Sequence, residues 1–379
     1  MQLLKHLQRY SDIDFLVEPT RIIGKEAVML VDPDQLILID SKFPISTGKA
    51  RILNGNVEKD LEDMWKRLDQ KKVFNINDYN TLEDINSELD RYAANCKEGV
   101  TCEIEEFGNS VEGRPLRMLK ITKPGPDRKV LVFDSTIHSR EWLAPATLLK
   151  VLDLIHKQEE NDAIELLNKY DFYFSIILNP DGYVYTWETE RFWRKTRSIN
   201  PNSICNGVDL DRNFDIKWGT VGASTNPCTD EFCGSAKASE PETKAIQDLS
   251  LRIGHKVLAW NTMHTAAQTI LFAWSVLEDG VCKMADDHDD LSRVADAYAD
   301  AIENTYGTVW RRGNSCLLTY PTSGTQNDYL RAQAGIKWVY TPGLRGPGFN
   351  PGSNAIEPSF REYWNGVKAM IKAIEDTKQ

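Results

Sequence analysis

The stretch Phe133-Asp134-Ser135-Thr136-Ile137-His138-Ser139-Arg140-Glu141-Trp142 decides the architecture. It ends an apolar run over 129–134 that reads as a strand, and it precedes 144–158, whose apolar spacing reads as a helix. A strand therefore stops here and a turn follows. His138 and Glu141 are placed three apart at the start of the helix, where both side chains can face one point. An imidazole and a carboxylate are ligands of the kind zinc takes. A second apolar strand, 257–262, runs out into His264. His138, Glu141 and His264 would then be three ligands from two strand ends, with the fourth position left to water. By itself a His-x-x-Glu pair is weakly specific. Six histidines and 56 acidic residues produce such pairs by chance, so an ordinary surface pair stays open at this point.

Outward from this stretch the pattern repeats. Strands are expected at 116–122, 129–134, 172–178, 257–262 and 337–340, and helices at 81–95, 144–158, 240–253, 291–306 and 362–378. Near-continuous apolar strands alternating with helices imply an α/β fold with a mixed, mainly parallel central sheet and helices on both faces. In such sheets the chemistry collects at the carboxyl ends of the strands. The first 70 residues differ. The runs 27–31 and 36–39 are β-prone, and 56–68 carries Val57, Leu61, Met64, Trp65 and Leu68 at helical spacing. This suits a small α+β domain at 1–70 ahead of a larger one at 71–379. The polar, basic stretch 67–72 between them reads as an exposed linker open to a trypsin-like protease.

A net charge of −11 disfavours nucleic acid and anionic membrane surfaces as partners. No stretch approaches the roughly 20 apolar residues of a membrane-spanning helix. Residues 1–10 lack the apolar run of a signal peptide. The chain is then either a secreted protein shown without its leader or an intracellular one. The seven cysteines favour the first, because several sit in Gly/Asn/Ser/Pro-rich loops where a disulfide pins flexible chain. Their odd number leaves a free thiol or an intermolecular bridge.

Further blocks follow in order: Tyr79-Asn80-Thr81-Leu82-Glu83-Asp84-Ile85, Glu112-Gly113-Arg114-Pro115, Asn179-Pro180-Asp181-Gly182-Tyr183, Phe192-Trp193-Arg194-Lys195-Thr196-Arg197-Ser198 and Gly207-Val208-Asp209-Leu210-Asp211-Arg212-Asn213-Phe214. With the His138 block they make the chain resemble the A/B-type zinc metallocarboxypeptidases over nearly its whole length. Residues 1–70 resemble the later part of that family's activation propiece, which here lacks its beginning. The resemblance implies a monomeric, secreted peptide hydrolase, made as a zymogen, that acts on peptide and protein C-termini with one Zn2+. It implies His138, Glu141 and His264 as zinc ligands, with Asp209 orienting a ligand histidine. It assigns Arg212 to the substrate carboxylate, Arg194 to the scissile carbonyl, Arg140 to the groove and Tyr320 to a cap over the bound terminus. Asn327 falls at the base of the specificity pocket. Ser275, Ser315, Thr319 and Thr341 line it, which suits a neutral polar or small side chain. By the same matching Cys205 pairs with Cys228 and Cys282 with Cys316. Cys96 and Cys102 bracket a five-residue loop and could pair with each other, which would leave Cys233 over.

The departures matter as much. Where the family reads Thr-Phe-Glu-Leu-Arg-Asp, this chain reads Thr341-Pro342-Gly343-Leu344-Arg345-Gly346, with no gap to move the glutamate off Gly343. That glutamate relays the proton from the metal-bound water to the leaving amine, and such groups supply about 10²–10⁴ in rate. Asp211 replaces an asparagine beside Arg212, and Ala266 replaces a tyrosine. Two readings stand: a zinc-binding homologue with lost or impaired catalysis, or an active zinc carboxypeptidase in which another acid, or zinc alone, handles the proton and neutral C-terminal residues are cleaved.

Overall fold

The computed structural model describes residues 13–17, 28–31, 33–43, 55–70, 73–346 and 348–377, with residues 46, 50 and 52. In chain order the elements before the large sheet are β1 (Ile13–Val17), β2 (Val28–Val31), α1 (Pro33–Lys42), α2 (Val57–Asp69) and α3 (Leu82–Ala94). Then come β3 (Thr101–Asn109), β4 (Pro115–Thr122), β5 (Lys129–Ser135), α4 (Leu143–Lys157), α5 (Asn161–Lys169), β6 (Tyr170–Ser175) and α6 (Pro180–Glu188). After a long irregular segment follow α7 (Pro241–Ile253), β7 (Val257–Thr265), β8 (Thr269–Phe272) and the small hairpin β9 (Leu277–Glu278) and β10 (Val281–Cys282). The chain closes with α8 (His288–Tyr306), β11 (Arg311–Asn314), α9 (Ser315–Leu318), α10 (Gln326–Ala332), β12 (Trp338–Leu344) and α11 (Ile356–Thr377).

Eight strands form one sheet in the order β11-β8-β12-β7-β5-β6-β4-β3. The centre, β12-β7-β5-β6, is parallel throughout, while β8, β4 and β3 join antiparallel. Strand alternation splits the core between the two faces. Leu131, Phe133, Phe172, Phe174, Trp338 and Tyr340 meet α4, α8 and α11 on one side. Val130, Val132, Tyr173 and Val339 meet Leu249 and Ile253 of α7 and Leu330 of α10 on the other. The mixed, mainly parallel α/β sheet covered on both faces is the architecture expected. No helix among the described residues is long and apolar enough to cross a membrane.

Several expectations change. The run 36–39 lies inside α1 and is not a strand. Four apolar residues cannot separate strand from helix by period, and Pro33 pre-sets the first helical turn. Residues 67–69 are not exposed linker but the last turn of α2: Leu68 is buried, and Arg67 pairs with Asp78. Trp65 of the same helix sits edge-on to Trp142 and Trp187, ring centroids 5.6 and 5.7 Å away. α2 thus packs into the core of the larger part. Lys71 and Lys72 lie outside the described residues. Strands β3, β8 and β11 went unread because Thr101–Asn109 mixes charge with apolar residues, and Thr269–Phe272 and Arg311–Asn314 are too short to show a period. Cys96–Cys102, Cys205–Cys228 and Cys282–Cys316 form disulfides, and Cys233 is a buried free thiol.

Some acids are folded away from water. Glu242 of α7 is fully buried, with Oε1 accepting the Val111 N–H at 3.0 Å, and burial pushes its carboxyl up to about 7. An unfolded glutamate titrates near ~4.3. Between those values the folded chain keeps a proton that the unfolded chain releases, so this group's contribution to stability falls as pH rises through the window. Urea midpoints for wild type and Glu242→Gln should diverge between about pH 5 and about pH 8, the wild type losing on the order of 2–3 kcal/mol more. Parallel pH profiles would show that Glu242 titrates normally.

Candidate metal centre

Strands β5 and β7 run side by side and parallel, with Ser135 level with Met263, so their carboxyl ends open on one edge of the sheet. His138 comes three residues after β5, in a turn where the Glu141 N–H donates to the His138 carbonyl at 3.3 Å and the Ser139 N–H to the Arg194 carbonyl at 3.2 Å. The pair therefore stands in this turn rather than in the first turn of α4, which starts at Leu143. The tie to Arg194 holds the chain out of helical register. His264 is the penultimate residue of β7.

The three side chains converge. His138 Nδ1 is 2.8 Å from Glu141 Oε1, and His264 Nδ1 is 3.1 Å from Glu141 Oε2. The Thr265 N–H also donates to Oε2, at 2.9 Å. Candidate ligand atoms of His138, Glu141 and His264 all lie within 4.8 Å of one another. Burial alone would raise the Glu141 carboxyl, but the His264 and His138 imidazoles hold it well below the usual carboxylate range. Burial opposes a charge on His264, and the Glu141 carboxylate more than offsets that, moving its pKa up. The same two nitrogens and carboxylate suit a divalent cation placed among them.

The far side of His138 supports that use. Its Nε2 is 3.2 Å from Asp209 Oδ1, which leaves Nδ1 turned towards Glu141. A carboxylate behind a ligand imidazole sets the tautomer and raises its basicity. Asp209 is fully buried and caps the one-turn segment Leu210–Arg212, its Oδ1 also accepting the Asp211 N–H at 3.0 Å. Its Oδ2 accepts from Arg194 Nη2 at 2.8 Å and Nε at 3.2 Å. Burial opposes its charge, yet Arg194, Arg212 and His138 keep this carboxyl well below its ordinary range. The approach to the turn depends on Gly207, whose φ is +82° and where any Cβ would collide with the Thr196 carbonyl oxygen.

The other expected residues surround this core. Arg212 donates from Nε to the Gly222 carbonyl at 2.8 Å, from Nη1 to the Asp211 carbonyl at 2.9 Å and from Nη2 to the Tyr320 hydroxyl at 3.1 Å. The Asp211 carboxylate stands beside it, Oδ2 3.8 Å from Nη1, while Oδ1 accepts the Gln326 N–H at 2.9 Å. Arg140 is buried against the Phe349 ring and pairs with Asp230 at 3.1 Å. Asn327 is buried, with Nδ2 donating to Thr341 Oγ1 at 3.2 Å and Oδ1 unpartnered among the described residues. The Ser315 and Thr319 hydroxyls turn to backbone carbonyls.

Gly343 lies in β12 between His264 of β7 and Thr269 of β8. It shares a strand face with Thr341, which meets Asn327, so a side chain at 343 would point to the same side of the sheet. The start of that path is crowded. A Cβ on Gly343 would be 2.9 Å from Thr269 Oγ1 and 3.0 Å from Ala267 Cβ. Thr269 is buried, and its hydroxyl has no partner among the described residues. Thr269, Asp230 and Gln326, which links Asp211 to Asp134 through its N–H and a 2.6 Å bond from Nε2, were not legible in the sequence. No spacing rule connects them to the motifs, because strand pairing and loop packing bring them in.

The profile of the zinc carboxypeptidase family matches residues 85–366. Carboxypeptidase B of Astacus astacus is 33% identical over 305 residues, covering 79% of this chain and 98% of its own. Carboxypeptidase O of Homo sapiens is 35% identical over 312 residues, covering 80% of each. Among solved structures, thrombin-activatable fibrinolysis inhibitor superposes with a TM-score of 0.85 at 28% identity, over 99% of this chain and 97% of its own. Carboxypeptidase A from Helicoverpa armigera gives 0.85 at 25% identity, over 100% and 95%. The chain belongs to the zinc carboxypeptidase family and has its fold.

Proposed function

We propose that this chain is a zinc-binding carboxypeptidase homologue whose peptide hydrolysis is lost or impaired, and that it works by binding peptide or protein C-termini. Gly343 carries the reading. The strand position beside His264 bears no carboxylate, and a Cβ there would be crowded by Thr269 Oγ1 and Ala267 Cβ. His138, Glu141 and His264 would hold one Zn2+, which when bound supplies Lewis acidity and lowers the pKa of a bound water towards ~7. Asp209 holds His138 in the metal-binding tautomer. Arg212 and Tyr320 would orient the chain end, Arg194 would face the carbonyl next to it, and Asn327 with Thr341 would receive a neutral side chain. What is missing is the group that carries the proton to the leaving amine.

The second reading, an active enzyme, is favoured by Arg194, Arg212 and Tyr320 standing around the centre. Against it, each nearby acid already accepts hydrogen bonds within the protein. Asp209 accepts from His138, Arg194 and the Asp211 N–H, Asp134 from Trp260 and Gln326, and Asp211 from the Gln326 N–H. Three disulfides support a secreted protein. Residues 1–70 are proposed as the propiece, with α2 remaining packed on the larger part. The test is hydrolysis of N-capped dipeptides by the zinc-loaded chain before and after limited trypsin digestion. Turnover is expected at least about 100-fold below ordinary enzyme rates. Chelator-sensitive turnover of about 1–10³ s⁻¹ would establish the active enzyme instead.

A further inference from the structure

We propose that the terminus-binding pocket selects an uncharged carboxamide over a free carboxylate. This rests on the reading that the pocket binds chain ends, and it names the chemistry of the end. The argument begins with charge. Arg194 is matched by Asp209 at 2.8 Å and Arg140 by Asp230 at 3.1 Å. Arg212 stands between Asp209 and Asp211, at 3.9 and 3.8 Å. Three guanidinium groups thus face three carboxylates, and an incoming carboxylate finds no arginine whose charge is unmatched. Three of the five N–H groups of Arg212, one on each nitrogen, already donate within the protein.

Hydrogen-bond polarity points the same way. The side chain of Asp211, next to Arg212, is an acceptor-only carboxylate. Its Oδ1 is fixed by the Gln326 N–H, and its Oδ2, 3.8 Å from Arg212 Nη1, lies past hydrogen-bond range of that group. A carboxylate laid against Arg212 and Tyr320 would set oxygen against oxygen at Asp211. A carboxamide in the same place has both polarities. Its carbonyl oxygen accepts from Arg212 or Tyr320, and one N–H donates to Asp211 Oδ2, a charge-assisted bond. The Asn327–Thr341 pair beneath is also uncharged. The carboxamide has two sources, an amidated C-terminus and an asparagine or glutamine side chain.

The experiment measures binding of N-acetyl-Gly-Ser as free acid, carboxamide and methyl ester, and of N-acetyl-Gly-Gln methyl ester, to the full chain before and after limited trypsin digestion. Each arm is run zinc-loaded and chelated, so that the charge of the ion is separated from that of Asp211. The carboxamide should bind about 10- to 100-fold tighter than the acid in both metal states. The Gly-Ser ester should fall between them, because it relieves the repulsion without donating to Asp211. Gly-Gln ester binding as tightly as the Gly-Ser carboxamide would assign the site to side-chain amides, and weaker binding to amidated termini. Asp211→Asn, which keeps the acceptor for the Gln326 N–H, should erase the preference. Equal or tighter binding of the acid overturns the inference while leaving C-terminus recognition in place. Failure of every form to bind, with zinc binding intact, overturns both.

Discussion

Gly343→Glu combined with Thr269→Ala will hydrolyse capped dipeptides about 10²–10⁴ times faster than the wild type, whereas Gly343→Glu alone will gain far less. The single variant places a carboxylate on the strand face shared with Thr341. Its Cβ, however, would lie 2.9 Å from Thr269 Oγ1, closer than real Cβ atoms come, and a tight 3.0 Å from Ala267 Cβ. Thr269→Ala removes the hydroxyl, and with it a buried polar group that has no partner among the described residues, so the second change should also be cheap in stability. kcat/KM on one substrate under saturating zinc reads the effect, since weak binding of the chain end is common to all variants. Equal gains for the single and double variants would show that Thr269 does not obstruct. No gain in either would place the defect outside strand β12.

Zinc affinity will fall by more than about 100-fold on Glu141→Ala and by about 10- to 100-fold on Asp209→Asn. Glu141 supplies the oxygens that both Nδ1 atoms face, at 2.8 and 3.1 Å. Removing them takes away a ligand and leaves the two imidazoles, with ring centroids 4.9 Å apart, to repel once protonated. Asp209 touches only the far nitrogen of His138, so its neutral isostere loosens the ring without deleting a ligand. It also leaves Arg194, which donates twice to Asp209, without its countercharge. Asp209→Asn should therefore cost stability in the metal-free protein as well, about 3 kcal/mol or more for a broken buried pair. Competition against a chromophoric chelator and urea unfolding of the apo-proteins measure the two effects. Affinities unchanged in both variants would mean that the metal, if bound, sits elsewhere.

The motifs were legible because their residues are local. His138 and Glu141 share one turn, and Asp209, Asp211 and Arg212 share another. The sheet's central strands were legible because burial on both faces leaves apolar runs. The run 36–39 was misread because four apolar residues fit either period, and 67–69 because a polar, basic surface hides the one buried residue, Leu68, that fastens the helix. Strand β3 escaped because its edge position leaves charged residues along it.

The sequence by itself determined the fold class, the His138–Glu141–His264 set and the absence of a carboxylate at 343, since each depends on residue type within a continuous stretch. Only the tertiary structure decided that Thr269 crowds the space beside Gly343, that Asp230 stands against Arg140, and that α2 belongs to the main core. Each of these is a contact between segments far apart in the chain. Strand register, helix docking and loop closure create such contacts, and composition and spacing along one segment carry no record of them.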